Sequence, residues 1–210
     1  MSHDDFEIEP VPGLPEKPPA GEEILWQGRP DWWALSLQSL NVGWVALYFV
    51  GLTLWRLVSV IDQMSLVKAL AASFPLLVLG AVVCGLLMLT AYIQARCTMY
   101  TVTNRRIAMR IGAALTVTLN LPYTQVGGAD LDLRKGGIGS IALSLLGDTK
   151  LSYLVCWPHV RPWAMTNTQP ALRCIPEAEK VAALIAEAAE QRISTPRVAQ
   201  RPVGAAIAAE

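Results

Sequence analysis

LNVGWVALYFVGLTLWRLVSVI (residues 40–61) and ALAASFPLLVLGAVVCGLLMLTAYIQA (residues 69–95), joined by DQMSLVK (residues 62–68), are the stretch from which the rest of the chain is read. The first apolar run carries one charge, Arg56, and the second carries none. Each exceeds the roughly 20 apolar residues with which an α-helix crosses a hydrocarbon layer. One such run can be the core helix of a soluble protein, but two in succession across a short polar loop predict a transmembrane helical hairpin. Trp44 and Tyr48 near one end of the first run, with Trp55 and Arg56 near the other, suit the two interfaces, where an apolar ring and a polar tip are both satisfied. Arg56 reads as snorkelling toward the loop side, the rival reading being a charge inside the bundle paired with a partner.

Positive charge sets the expected orientation. Arg29, Arg96, Arg105, Arg106 and Arg110 lie on the outer flanks of the hairpin and only Lys68 lies in the loop, so both termini are expected to be cytoplasmic. In the second run Gly80 with Cys84, and Ala81 with Gly85, place small residues four apart, where another helix can approach closely. Packing against the first run is the simpler use of them, a second copy of the chain the other. Pro75 bends or begins the second helix.

Charged residues balance, with 17 Lys and Arg against 17 Asp and Glu, and 53% of the chain is hydrophobic. That excludes a basic nucleic-acid binder and a disordered acidic chain. With the hairpin subtracted, one modest domain remains. Residues 1–20 are acidic and proline-rich, which predicts a flexible tail and no signal peptide, leaving the first span to direct insertion. Cys84, Cys97, Cys156 and Cys174 show no paired spacing and read as reduced packing residues, with neither metal nor disulfide.

Outside the hairpin the periodicity changes. Residues 23–27 predict a short extended run, stopped by Gly28 and Pro30 before Trp32 and Trp33, which are placed at the membrane surface. After the second span, Tyr100 and Val102 share a strand face, Thr103, Asn104 and Arg105 turn the chain, and Ile107, Met109 and Ile111 alternate with Ala108 and Arg110. Leu115, Val117, Leu119 and Leu121 alternate with polar residues up to Pro122. Leu131 and Leu133 alternate with Asp130 and Asp132 until Gly136 and Gly137 break the run. Strands are expected over residues 141–145 and 151–156, joined by Gly147 and Asp148, and over 171–175. Pro176 then opens a helix with Val181, Leu184, Ile185 and Ala188 on its apolar side, and residues from Ser194 form a loose tail. The expected fold class is an α+β membrane protein: a small antiparallel barrel or sheet pair plugged by the C-terminal helix.

Candidate chemistry is sparse. The run from Lys135 to Ser140 lacks a lysine directly after its last glycine and lies between strands, so a turn is preferred to a phosphate loop. Asp130 and Asp132 share a strand face with Arg134 and read as solvated. His159 is the one histidine outside the N-terminal tail and reads as structural or partner-contacting. Without a nucleophile, base and metal set, no catalytic, cofactor or metal residue is assigned and an enzyme is not expected. Arg105, Arg106 and Arg110, beside Arg96, suit anionic lipid or an acidic partner, and charge reversal at Arg105 and Arg106 is expected to weaken that attachment without unfolding the domain. Trp157, His159, Arg161 and Trp163 sit on an aromatic, cationic, proline-stiffened loop that suits a partner interface.

The residues GEEILWQGRP (21–30), a membrane hairpin and then YTVTNRR (100–106) resemble the bacterial membrane-linked pleckstrin-homology-like (PH-like) domains, in which such a hairpin interrupts the domain after its first strand. The resemblance implies residues 21–39 as first strand and interfacial segment, 40–95 as hairpin and 96–193 as the PH-like body, between tails at 1–20 and 194–210. Within that group, residues 26–33, 131–140 and 157–176 are similar to the photosynthetic complex assembly proteins of purple bacteria. That similarity implies a non-enzymatic factor without cofactors in the inner, intracytoplasmic membrane, whose partners are reaction-centre subunits, light-harvesting 1 antenna polypeptides and membrane lipids. A general membrane-surface adaptor of the same fold remains the alternative.

Overall fold

The structure, a computed structural model, describes residues 11–112, 116–134, 136–147 and 151–194. In chain order they form β1 (Ile24–Gly28), α1 (Trp32–Gln38), α2 (Val42–Val60), α3 (Leu66–Cys97), β2 (Met99–Thr103), β3 (Arg106–Ile111), β4 (Val117–Pro122), a 3-10 turn (Tyr123–Gln125), β5 (Val126–Leu133), β6 (Gly139–Leu145), α4 (Tyr153–Cys156), β7 (Ala171–Ile175) and α5 (Ala178–Ser194). The expectations for residues 1–10, Leu115, Lys135, Asp148 and the tail beyond Ser194 lie outside the described residues.

Strands β1-β2-β3-β4 form one antiparallel sheet and β5-β6-β7 another. Their apolar faces meet in a core holding Tyr100, Ile107, Met109, Ile141, Leu143 and Leu172. Val181, Ile185 and Ala188 of α5 enter the same core, while Leu184 is only partly buried. A closed barrel is not formed. Pro122 ends β4 without an N–H to give, and the 3-10 turn redirects the chain into the second sheet, so the ladder is cut there.

The hairpin interrupts the domain after its first strand: β1 pairs antiparallel with β2 although residues 29–98 separate them. α2 and α3 are long and apolar enough to cross a membrane, and only 11% of the apolar window of each is buried inside the protein. Trp44, Trp55 and Val67 are each at least 70% exposed, an inside-out pattern that water does not favour. The residues of α3 turned inward are small: Ala69, Ser73, Gly80, Ala91 and Ala95. A Cβ on Gly80 would stand 2.6 Å from Cβ of Phe49, so this glycine sets how closely α2 and α3 approach. The loop is shorter than its sequence suggested, since Leu66, Val67 and Lys68 already belong to α3, and Pro75 lies inside that helix rather than at its start.

Two further expectations change. Leu14 is fully buried and Gly13 packs on Met99, so residues 11–20 lie against the first sheet instead of trailing as a tail. The strand expected over 151–156 is the short helix α4, because β7 takes the free edge of β6 and leaves that segment no partner.

Candidate functional site

An irregularity in β7 builds the site. Gly139 pairs with Ile175 and Ile141 with Leu172, so Arg173 and Cys174 together oppose Ser140 in a β-bulge, with Cys174 at φ 51°. In a regular strand Leu172 and Ile175 would face opposite ways; the extra residue lets both enter the core. It also turns Arg173 and Cys174 toward α1. Cys174 packs with Ala34 and Leu35 of α1, and its thiol lies 3.5 Å from Oε1 of Gln38. Arg173 donates from Nη2 to Oγ of Ser39 at 2.9 Å. Helix α1 is held over this position from its other end too, where Asp31 caps it by accepting from Ala34 N–H at 2.7 Å while its own N–H donates to the carbonyl of Cys174 at 2.8 Å.

Arg173 is 6% exposed, its Nε has no hydrogen-bond partner, and no carboxylate among the described residues lies in ion-pair reach of it. Behind it lies a saturated polar network. Arg173 N–H donates to the Tyr100 hydroxyl at 3.2 Å, and that hydroxyl lies 2.6 Å from Nδ1 of His159, whose Nε2 is 3.0 Å from Oγ1 of Thr98. One tautomer gives every group a partner: the Tyr100 O–H, whose oxygen accepts from Arg173 N–H, donates to Nδ1, and Nε2–H donates to Oγ1 of Thr98. Burial, reinforced by the Arg173 charge, pushes the His159 pKa down to about 3, so the ring is neutral. Burial pushes the Tyr100 hydroxyl up and the Cys174 thiol up to about 11. This network holds Arg173 in place and offers no poised acid or base.

Two recesses meet at Arg173. One, of about 340 Å³, runs past Gln38, Ser39 and Asn41 to Trp157 and Trp163; the other, of about 410 Å³, runs over Asp130, Asp132, Arg134 and Arg161. Asn41 immediately precedes α2, so the first recess lies beside the start of a long apolar helix. The loop bordering it presents Trp163 at 88% and Met165 at 62% exposure. In the second recess the aspartates are matched: Arg161 bonds Asp130 at 2.7 Å, and Arg134 approaches Asp132 at 3.6 Å.

The residues singled out from sequence divide accordingly. Trp157 and Trp163 border the first recess, and Arg161 borders the second. His159 is fully buried, so it cannot touch a partner; it is part of the support behind Arg173. Arg110 is buried in β3 and is likewise removed from the exposed patch. Arg105 and Arg106 do not form a free patch either. Nη2 of Arg105 donates to the carbonyl of Ala20 at 3.3 Å, and Nε of Arg106 donates at 2.8 Å to Oε1 of Glu22, whose side chain is 3% exposed. Both tie residues 20–22 to the β2–β3 turn, so the charge reversal expected to spare the fold strikes a structural pair. In the hairpin Gly80 is buried against α2, Cys84 is partly buried, and Ala81 and Gly85 lie on the open side. The turn reading of the glycine run holds, with Gly136 and Gly137 at φ 86° and 76° between β5 and β6.

The family described as Bacterial PH domain matches residues 45–189, which takes in most of the hairpin and nearly all of the body after it. The chain belongs to the bacterial PH domain family. A protein of Rhodobacter capsulatus, described as an uncharacterized 23.7 kDa protein in the puhA 5′ region, is 44% identical over 211 residues, covering 99% of each chain. A crystal structure of a DUF1696 family protein with a pleckstrin-homology domain, from Shewanella loihica, is 12% identical and superposes with a TM-score of 0.30 over 44% of this chain and 71% of that one. In this bacterial PH domain the residues that sequence reasoning missed are Arg173, Gln38 and Ser39. The signal for Arg173 was a lone charge inside the apolar run Ala171-Leu-Arg-Cys-Ile175.

Proposed function

We propose that the protein is a non-enzymatic factor that assists assembly of the photosynthetic reaction centre and its light-harvesting 1 antenna in a purple bacterium, with α2 and α3 inserted in the inner, intracytoplasmic membrane. The observation that carries this reading is the relative in the puhA region, similar from end to end, which links the chain to a photosynthesis gene cluster. The outward apolar faces of α2 and α3 support insertion, and the arginines flanking them support cytoplasmic termini. The partners on this reading are reaction-centre subunits and antenna polypeptides, met by the hairpin and by the exposed loop around Trp157 and Trp163. A membrane-impermeant thiol reagent applied to intact cells should label Gln63→Cys and spare Gly204→Cys; the reverse pattern sinks the orientation. The functional test is a deletion strain: mature core complex should fall in amount, while the complexes that do form keep normal spectra, because the factor leaves no cofactor in them. Wild-type amounts and assembly kinetics would reject the assembly role and leave the general membrane-surface adaptor.

A further inference from the structure

A buried guanidinium with no carboxylate beside it is costly. Lone water can satisfy an N–H but leaves the charge uncompensated, and arginines in such places are normally paired. Arg173 is nevertheless held in position by its bond to Ser39, by the bulge and by the Tyr100–His159–Thr98 network at its back. Its Nε is unpartnered, and the side chain lines both recesses. The second recess contributes three arginines, Arg134, Arg161 and Arg173, against Asp130 and Asp132, an excess of one positive charge. That excess resides on Arg173, because the two aspartates already have partners.

We propose that Arg173 is the floor of a binding site for the phosphate of an anionic phospholipid headgroup, entered through the recess beside the start of α2. A guanidinium is suited to a phosphodiester because its planar donors can engage more than one oxygen. The exposed surroundings favour a lipid over a soluble anion or an acidic peptide. Asn41, the residue before the first apolar helix, lines the entrance, and Trp157, Trp163 and Met165 border it with apolar surface of the kind that lies against acyl chains and glycerol. The site is separate from the arginines of the β2–β3 turn, which are occupied by Glu22 and Ala20. It rests on the membrane insertion of the hairpin and not on the assembly role.

The test uses the full chain purified in mild detergent, with phosphatidylglycerol, phosphatidylcholine and inorganic phosphate as probes and native mass spectrometry as the readout. Wild type should retain phosphatidylglycerol in preference to phosphatidylcholine, and Arg173→Gln should weaken that retention roughly tenfold or more, as loss of a charge-assisted contact implies. Arg105→Gln should leave it unchanged. Inorganic phosphate should not displace the lipid; displacement at equal concentration would mean a free-phosphate site and would overturn the lipid assignment. Equal retention by wild type and Arg173→Gln would overturn the site altogether. Should Arg173→Gln fail to fold, Met165→Ser with Trp163→Ala, both on exposed positions, must lower lipid retention for the proposal to stand. A chain that stays soluble without detergent would fail the membrane reading itself, before any lipid is added.

Discussion

The two ends of the β body each hold an arginine that is at least partly withdrawn from water, and they use it in opposite ways. At the β2–β3 turn Arg106 meets Glu22, whose carboxylate also accepts from the Thr103 hydroxyl at 2.9 Å, while the Tyr123 hydroxyl donates to the Thr103 carbonyl at 2.8 Å. Every partner there belongs to the protein, and the corner is closed. At the β7 bulge Arg173 has supports but no counter-charge among the described residues, and recesses open on two sides. The arginines of the β2–β3 turn, dense in sequence, are tied to the chain's own acceptors, whereas a solitary arginine in an apolar strand faces two recesses without a carboxylate among the described residues to pair it. Density of charge is a poor guide to a site; uncompensated charge is a better one.

The largest expected effect is at the closed corner. Arg106→Glu puts a second carboxylate beside buried Glu22 and should destabilise the body by about 3 kcal/mol or more, because the Glu22 charge, still bonded to the Thr103 hydroxyl, loses its counter-charge and faces a like charge with little water to screen it. The double variant Glu22→Gln with Arg106→Gln should recover more than half of that loss, since neutral amides keep hydrogen bonds without the charge. Thermal unfolding in detergent followed by near-ultraviolet circular dichroism measures both; a single variant as stable as wild type would mean the corner is not closed by this pair.

Next in size is the pH dependence of the open end. His159 is depressed to about 3 in the folded chain against 6.5 in the unfolded one, so the unfolded state takes up the proton first as pH falls. Its contribution is therefore flat above 6.5 and costs stability below it, by up to about 1.4 kcal/mol per pH unit. Between about pH 6.5 and pH 5 most carboxylates are still ionised, so this slope belongs mainly to the histidine. His159→Gln should flatten the slope in that window even if it lowers stability at neutral pH. A slope that survives the substitution would assign the acid sensitivity elsewhere.

Much of this was legible in the sequence, and the failures have definite causes. The hairpin was read from length and polarity, β3 and β4 from alternation, and the buried face of α5 from helical spacing, all of which are local patterns. The Arg106–Glu22 pair joins positions 84 apart, a separation that no local pattern reports. α1 was read as an interfacial segment because its sequence, WWALSLQ, is too short for periodicity to speak. The Arg173 site was hidden because strand alternation breaks at the bulge, and a bulge depends on how Ser140 meets two residues across the sheet. Leu154 and Val155 misled for a different reason: their apolar side chains are exposed, where a strand reading would bury at least one of them.

The third prediction reverses the sign expected at the closed corner. Replacing Arg173 by Met removes an uncompensated buried charge and fills the same space, so in lipid-free detergent the body should be unchanged or more stable by up to about 1 kcal/mol. Arg106→Met, leaving Glu22 unpaired, should destabilise. If Arg173→Met destabilises as much as Arg106→Met, the contrast between the two ends is lost, and Arg173 becomes a structural residue like its counterpart.

The smallest effect on stability is expected at Trp163, and its smallness is the informative part. Its side chain is 88% exposed and its backbone sits at φ 65°, a left-handed conformation that costs a residue with a Cβ about 1 kcal/mol. An indole in that position contributes little to the core, so Trp163→Ala should change stability by less than about 0.5 kcal/mol, and Trp163→Gly, free of the backbone penalty, should be neutral or slightly stabilising. If the loop is the entrance to the Arg173 recess and an anchor for partners, the same Trp163→Ala chain should still lose lipid retention and lower the yield of assembled complex. Unfolding measurements on the two variants, set beside lipid retention and complex yield from membranes, separate these roles. A fall in stability of more than about 1 kcal/mol in Trp163→Ala would place the ring in the fold's own packing. Unchanged stability with unchanged retention and yield would leave the ring without a use at the open end.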